Sequence, residues 1–236
     1  MKLIVGNFKM NLDYYEIEKY IEFFKNKDYS NVFFAPSSIY LTKFVDNGLN
    51  TVSQDVSCFE NGAYTGDVSS SQLKSIGVDY SIVGHSERRK YYHDSSLVNK
   101  KIIRLLEQEL VPILCIGETL EEREDGKVFN VLKKEINEAF DNIKNNYLKE
   151  VIIAYEPIWS IGTGKVPKNE DIEEVVNYIK DYIKEKYKFD IKVLYGGSVN
   201  TKCILELEKI TNVDGYLVGG CSLKYEEFNQ LINMIK

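Results

Sequence analysis

The stretch AYEPIWSIGTGK, Ala154 to Lys165, sets a carboxylate, Glu156, directly behind the apolar run VIIAY. A stiff proline (Pro157), a bulky Trp159 and two glycines, Gly162 and Gly164, follow it. Polar or glycine positions follow other apolar runs in the same way: Asn7 and Lys9; His85, Ser86 and Glu87; Gly196, Gly197 and Ser198; Gly219 and Gly220. Singly, each has a plain explanation: a solvated lysine, a hydrogen-bonded histidine, glycines that turn the chain. Together they make a set suited to proton transfer on a phosphorylated substrate. Glu156 is the candidate general base, its basicity raised by an apolar surround when the following loop closes. His85 precedes SERR, a predicted helix start, and the positive end of that helix disfavours imidazolium, so a neutral imidazole is expected. Lys9 can stabilise a developing oxyanion, and Asn7 can donate a hydrogen bond. The paired glycines offer backbone N–H groups to a phosphate.

These groups meet only if the runs ahead of them end at one place. Eight short β-branched or aromatic runs recur, at 2–5, 31–36, 50–53, 79–84, 111–117, 151–155, 191–197 and 215–220. Most are apolar on both faces, as in a parallel sheet covered on each side. Between them the apolar spacing predicts helices over 14–26, 97–109, 128–144 and 169–187. Pro167 and Asn169 read as the cap region of the last. Strand then helix, eight times in 236 residues, is the tally of a (β/α)8 barrel. A doubly wound open sheet is the alternative, but it usually carries G-x-G-x-x-G after its first strand, and here that turn is GNFKMN. No Pro/Gly/Ser linker interrupts the chain, so residues 1–236 are expected to form one domain.

Composition narrows the partners. The net charge is −6, and no basic block appears, which argues against nucleic acid. No apolar run approaches the roughly 18 residues of a membrane helix. The four cysteines, Cys58, Cys115, Cys203 and Cys221, form no C-x-x-C pair. The opening MKLIVGNFKMN reads as a strand rather than a targeting segment. Reduced thiols in the cytoplasm are the expectation. With two histidines, His85 and His93, a His-rich metal site is excluded, and neither metal nor cofactor is expected.

The motifs GNFKMN, VGHSERR, PILCIGET, AYEPIWSIGTGK, YGGS and LVGGCSL, in this order from residue 6 to residue 223, resemble the triosephosphate isomerase family. The resemblance implies a single TIM barrel and a cofactor-independent isomerase of glycolysis and gluconeogenesis. Its substrates would be dihydroxyacetone phosphate and glyceraldehyde 3-phosphate, joined by an enediolate. It implies that Glu156 removes the proton, that His85 moves protons between the oxygens, and that Lys9 and Asn7 stabilise the charge. Asn7, Lys9, Gly162, Ser198, Gly219 and Gly220 match substrate and phosphate positions. Ser86, Glu87 and Cys115 match residues behind them, Glu87 near Lys9. Pro157, Ile158, Trp159, Ser160, Ile161, Gly162, Thr163, Gly164 and Lys165 match a lid that excludes water. The chain departs from the family at Phe8, usually Trp, and at His93–Asp94, where a Gly-Glu pair is common. It also departs at Pro167, at the lid's far hinge, and at Cys221, which reads as a small buried filler in place of Ala.

The 54–67 segment, QDVSCFENGAYTGD, is about 14 residues with little periodicity, long enough to suggest a functional loop. In the family this loop inserts beside a second subunit's active site, so the resemblance implies a homodimer with Thr65, Tyr64 and Gln54 as contacts. Other phosphate-binding barrels compete with this assignment. A Schiff-base aldolase needs a lysine where Glu156 stands, and a metal-dependent epimerase needs more histidines than the chain has. A barrel kept only as a binding module could have lost Lys9, His85 or Glu156, and all three are present.

Overall fold

The computed structural model describes residues 1–162 and 167–235. Its strands are β1 (Leu3–Asn7), β2 (Val32–Ala35), β3 (Val52–Ser53), β4 (Tyr80–Val83), β5 (Val111–Ile116), β6 (Ile152–Tyr155), β7 (Lys192–Tyr195) and β8 (Gly215–Val218). They form one sheet in the order β2-β1-β8-β7-β6-β5-β4-β3, with parallel pairing throughout. The two ends of that order meet at a parallel bridge between Phe34 and Thr51. The Phe34 N–H donates to the Asn50 carbonyl there at 2.9 Å. The sheet therefore curls into a nearly closed eight-stranded barrel, as the strand–helix tally predicts.

Parallel strands need long return crossovers, and helices supply them. After β1 comes α1 (Tyr14–Phe24), after β2 α2 (Leu41–Asp46), and after β3 α3 (Ser70–Ser75). β4 leads into α4 (Ser86–Tyr92) and α5 (Val98–Glu107), and β5 into α6 (Leu120–Glu124), α7 (Val128–Phe140) and α8 (Asn145–Leu148). The last three are α9 (Asn169–Tyr187), α10 (Ile204–Leu207) and α11 (Tyr225–Met234). Successive side chains of a strand point to opposite faces. Val5, Ala35, Ile82, Ile113, Ala154 and Leu217 fill the inside of the barrel. Ile4, Phe34, Val83, Leu114, Ile153 and Val193 pack outward onto the helices.

α1 shows how these helices are held. Asp13 and Glu16 form a reciprocal capping box at its start, and Ile17, Tyr20, Ile21 and Phe24 are buried along one stripe. Each such side chain contributes roughly 1.5–3 kcal/mol on burial. Phe8 joins them, fully buried, with its ring 4.6 Å from Tyr20 and 5.9 Å from Phe44.

Four local expectations need correction. The helix predicted over 128–144 stops at Phe140, because Asp141 turns extended and Asn142 takes a positive φ of 55°. α1 and α5 likewise end two residues short of their predicted limits, Phe24 for 26 and Glu107 for 109. Asn169 does not cap α9: it is the first helical residue, Lys168 precedes it without a side-chain cap, and the Asn169 amide donates to the Glu206 carbonyl at 2.9 Å. No helix among the described residues is long and apolar enough to cross a membrane.

Candidate active site

The barrel brings the C-terminal ends of all eight strands to one mouth. Asn7 is the last residue of β1, and its carboxamide oxygen accepts the Lys9 N–H at 3.0 Å. Lys9 takes a φ of 52°, in the left-handed region that non-glycine residues rarely occupy. Three contacts hold it there, one of them from the Ser37 hydroxyl to the Lys9 carbonyl at 3.2 Å. The Gln54 side-chain amide donates to the Lys9 carbonyl at 2.8 Å, and the Lys9 ammonium pairs with Glu87 at 2.7 Å. Gln54 is thus engaged within its own chain, donating to the Ala35 carbonyl as well at 2.8 Å.

His85 sits between β4 and α4 and caps that helix with its ring: Nδ1 accepts the Glu87 N–H at 3.2 Å. That bond leaves the proton of a neutral ring on Nε2, which lies 3.3 Å from Glu156 Oε1. Burial lowers the ring's affinity for a proton, but the Glu156 and Glu87 carboxylates outweigh it, so the pKa is raised overall. The helix dipole, which argues for a neutral ring, is therefore opposed by Glu156.

Glu156 is buried beyond the end of β6, 3% exposed, and its Oε2 has no hydrogen-bond partner among the described residues. Two glycines make its position available. A Cβ on Gly196 would stand 2.8 Å from Glu156 Cγ, and one on Gly117 would stand 1.8 Å from the Glu156 carbonyl oxygen. Behind it lies Cys115, whose thiol pKa is driven well above its ordinary value by burial and then by the Glu156 charge. Ser86, at the start of α4, lines a small cavity with Glu156, Cys115 and Gly117.

Asn7, Lys9, His85 and Glu156 share a cavity of about 220 Å³. They line one side of it, and Gly162, Ser198, Gly219 and Gly220 also line it. Ser198 is bonded to the segment after β6: its hydroxyl donates to the Ser160 carbonyl at 2.7 Å, and its N–H to Ser160 Oγ at 3.2 Å. Cys221, also at the cavity, is buried as expected of a filler, with its thiol pushed up to about 12 by that burial.

Residues Pro157–Gly162 begin with a short 3-10 turn, Ile158–Ser160; Thr163, Gly164 and Lys165 lie outside the described residues. The anchor of this turn is Glu118, which the sequence did not mark out. Glu118 is wholly buried. It accepts from the Trp159 indole at 2.9 Å, the Tyr155 hydroxyl at 3.1 Å and Arg123 at 3.1 Å. Its carbonyl accepts the Ile158 N–H at 3.0 Å. The signal available was the carboxylate of PILCIGET directly after an apolar run, the same signal that singled out Glu156.

His93 and Asp94 have defined tasks. His93 adopts the left-handed conformation that ends α4, with φ 56°, where glycine would be free of strain. Asp94 is buried and holds Lys101 at 2.7 Å and Arg88 at 2.8 Å, and both cations also hold Asp55. The cluster pins the root of the 54–67 loop. Farther along that loop Phe59 and Tyr64 stack face to face at 4.1 Å while both stay exposed, and Thr65 is exposed beside them.

A family model described as triosephosphate isomerase matches residues 2–235. The triosephosphate isomerase of Alkaliphilus oremlandii is 41% identical over 243 residues, covering 98% of each chain. That of Alkaliphilus metalliredigens is 40% identical with the same coverage. That of Malacoplasma penetrans is 40% identical over 248 residues, covering 99% of this chain and 98% of its own.

Proposed function

The chain belongs to the triosephosphate isomerase family and is an isomerase of glycolysis, interconverting dihydroxyacetone phosphate and D-glyceraldehyde 3-phosphate without a cofactor, and on that premise we propose the following roles for its residues. Glu156 takes a proton from the carbon next to the substrate carbonyl. The electron pair moves onto the carbonyl oxygen, giving an enediolate. His85, through Nε2, passes protons between the two oxygens, and Glu156 returns its proton to the neighbouring carbon. The Lys9 ammonium and the Asn7 amide stabilise the charge on oxygen as it develops. Gly162, Gly219 and Gly220 hold the phosphate through backbone N–H groups, Ser198 joins them by exchanging its N–H bond to Ser160 Oγ for the phosphate, and Pro157–Lys165 covers the site and keeps water from the enediolate. The observation that carries this reading is the buried Glu156 carboxylate, with one oxygen 3.3 Å from His85 Nε2 and the other unpartnered among the described residues, in the cavity that Lys9 also lines. A coupled assay with dihydroxyacetone phosphate tests it. Glu156→Gln should bind a phosphate ligand and turn over poorly; near-normal turnover in the pure variant would remove Glu156 from the base role.

The whole chain serves as one catalytic domain, and it works in the cytoplasm as a homodimer. Four unpaired thiols suit a reducing compartment. A second cleft, about 740 Å³, opens beside Lys9, His85, Gln54 and Glu87. Tyr91 and Tyr92 stand near it 64% and 62% exposed, and the stacked Phe59–Tyr64 pair is 43% and 44% exposed. On this reading a second copy's 54–67 loop, with Thr65 and Tyr64, docks in that cleft. Thr65→Glu should yield a monomer of depressed activity, and an active wild-type monomer by sedimentation would refute the dimer.

A further inference from the structure

We propose that Arg123 is a positioning residue for the segment after β6: its single guanidinium ties Trp159, ahead of that segment's tip, to Asp171, beyond it. The inference rests on the lid role given above to Pro157–Lys165. Arg123 stands on α6, a short helix fixed at its start by the reciprocal Thr119–Glu122 capping box. One guanidinium nitrogen, Nη1, lies 3.1 Å from Glu118 Oε1, and the other, Nη2, lies 3.2 Å from Asp171 Oδ2 in the first turn of α9. The guanidinium carbon is 5.2 Å from the centre of the Trp159 ring, in cation–π range. Glu118 in turn accepts the Trp159 indole N–H at 2.9 Å. One planar cation thus touches the indole, the carboxylate that holds the indole, and the helix that resumes after the segment.

The chemistry favours arginine at this place. Glu118 is wholly buried, and a buried carboxylate needs charge compensation as well as hydrogen bonds. Lysine could compensate Glu118, but it lacks the rigid fork that serves two carboxylates while its plane meets an aromatic ring. The consequence is geometric. With Arg123 in place the two flanks of the segment are held at fixed positions relative to α6, and the entry angle of Trp159 is set. Without it the flanks drift, and the covered state that protects the enediolate forms less often.

Trp159 is the only tryptophan of the chain, so fluorescence excited selectively at tryptophan, beyond the absorption of the tyrosines, reads this spot alone. The experiment compares wild type with Arg123→Met, which keeps the apolar stem and loses the charge. Emission is recorded with and without glycerol 3-phosphate, alongside steady-state constants and the yield of methylglyoxal per turnover. The expected result is an altered Trp159 emission with a weaker response to glycerol 3-phosphate. With it should come a kcat lower by about tenfold to about 100-fold, a smaller change in KM, and more methylglyoxal. Arg123→Lys should recover part of the loss. If Arg123→Met does not fold, Glu118→Gln with Arg123→Met removes the buried charge together with its partner, and the same signatures are expected of the pair. Emission and kcat within about twofold of wild type in a folded variant would overturn the inference. Deleting Ser160–Thr163 separates the two premises: an active deletion variant refutes the lid role itself, whereas a crippled deletion beside an unaffected Arg123→Met refutes only the part given to Arg123.

Discussion

Two carboxylates lie buried at the ends of neighbouring strands, Glu118 after β5 and Glu156 after β6, and they are treated in opposite ways. Glu118 has an indole, a phenol and a guanidinium on its two oxygens. Glu156 has His85 at 3.3 Å from one oxygen and, among the described residues, no hydrogen-bond partner on the other. A buried charge whose lone pairs are filled is a fixture, because moving it breaks several strong bonds at once. A buried charge left partly unfilled holds free energy that a substrate proton can release. Similar burial therefore produces a saturated carboxylate at one strand end and, on the role proposed for Glu156, a proton acceptor at the next. The glycines follow the same division. Gly196 leaves room for the Glu156 side chain and Gly117 for its backbone, so the carboxylate proposed as the base is the one given space.

The sharpest test exchanges each carboxylate for its amide. Glu156→Gln should lower turnover by on the order of 10²–10⁴-fold. Its melting temperature should hold or rise, since an underfilled buried charge is removed. A clear fall in melting temperature with little change in rate would make Glu156 the fixture and reverse the comparison. Lys9→Met should come next. Loss of one donor to a developing oxyanion costs roughly 10²–10³-fold in kcat. The affinity for the anionic substrate should weaken too, and both constants can be read in one steady-state series. If both stay close to wild type, the strained φ at Lys9 serves packing and not chemistry.

Much of this contrast was open to the sequence on one side only. Glu156 stood out because Pro157, Trp159 and two glycines followed it, and the resemblance then covered the motif. Glu118 follows an apolar run in the same manner, yet its partners Tyr155 and Trp159 come from 37 and 41 residues away. Only the barrel brings them together, so a single strand end could not reveal whether its carboxylate would be saturated. The eight strands were legible because parallel strands buried on both faces read as unbroken apolar runs. Helix ends were less so. Asp13–Glu16, Ser69–Gln72 and Thr119–Glu122 are local capping boxes that spacing alone could have located. The Asn169 amide was read as a cap, but it is drawn to the Glu206 carbonyl by a contact no local rule contains. The cluster of Asp55, Arg88, Asp94 and Lys101 was invisible for the same reason, since its members come from the 54–67 loop, α4, the turn after α4 and α5.

Glu118→Gln should give the third effect, and a different kind of effect. The amide keeps one acceptor and presents N–H groups to donors that need a carboxylate. Stability should fall by about 1–3 kcal/mol, measured by urea unfolding, while turnover falls much less than in Glu156→Gln. A variant as stable as wild type would mean that the three donors at Glu118 find other partners, and the fixture description would fail.

The smallest effect is a titration, and it probes the reactive side directly. Two influences act against each other on His85. Burial penalises the imidazolium, and the Glu156 carboxylate favours it, with Glu87 adding to the second. In the wild type the carboxylates win, so the ring takes up its proton at a higher pH than an ordinary histidine. Glu156→Gln removes the nearest negative charge and leaves the burial untouched. The sign follows: the His85 titration must move to lower pH, and the neutral ring, with Nδ1 still accepting the Glu87 N–H, must persist over a wider range. Nitrogen-15 NMR of the imidazole can follow this, with His93, the only other histidine and exposed on the surface, as the reference signal. An unmoved His85 signal would show that the 3.3 Å contact carries no electrostatic coupling. An upward move would show that His85 is governed by Glu87 at the helix start, and the proton path would then have to be drawn from that side of the ring.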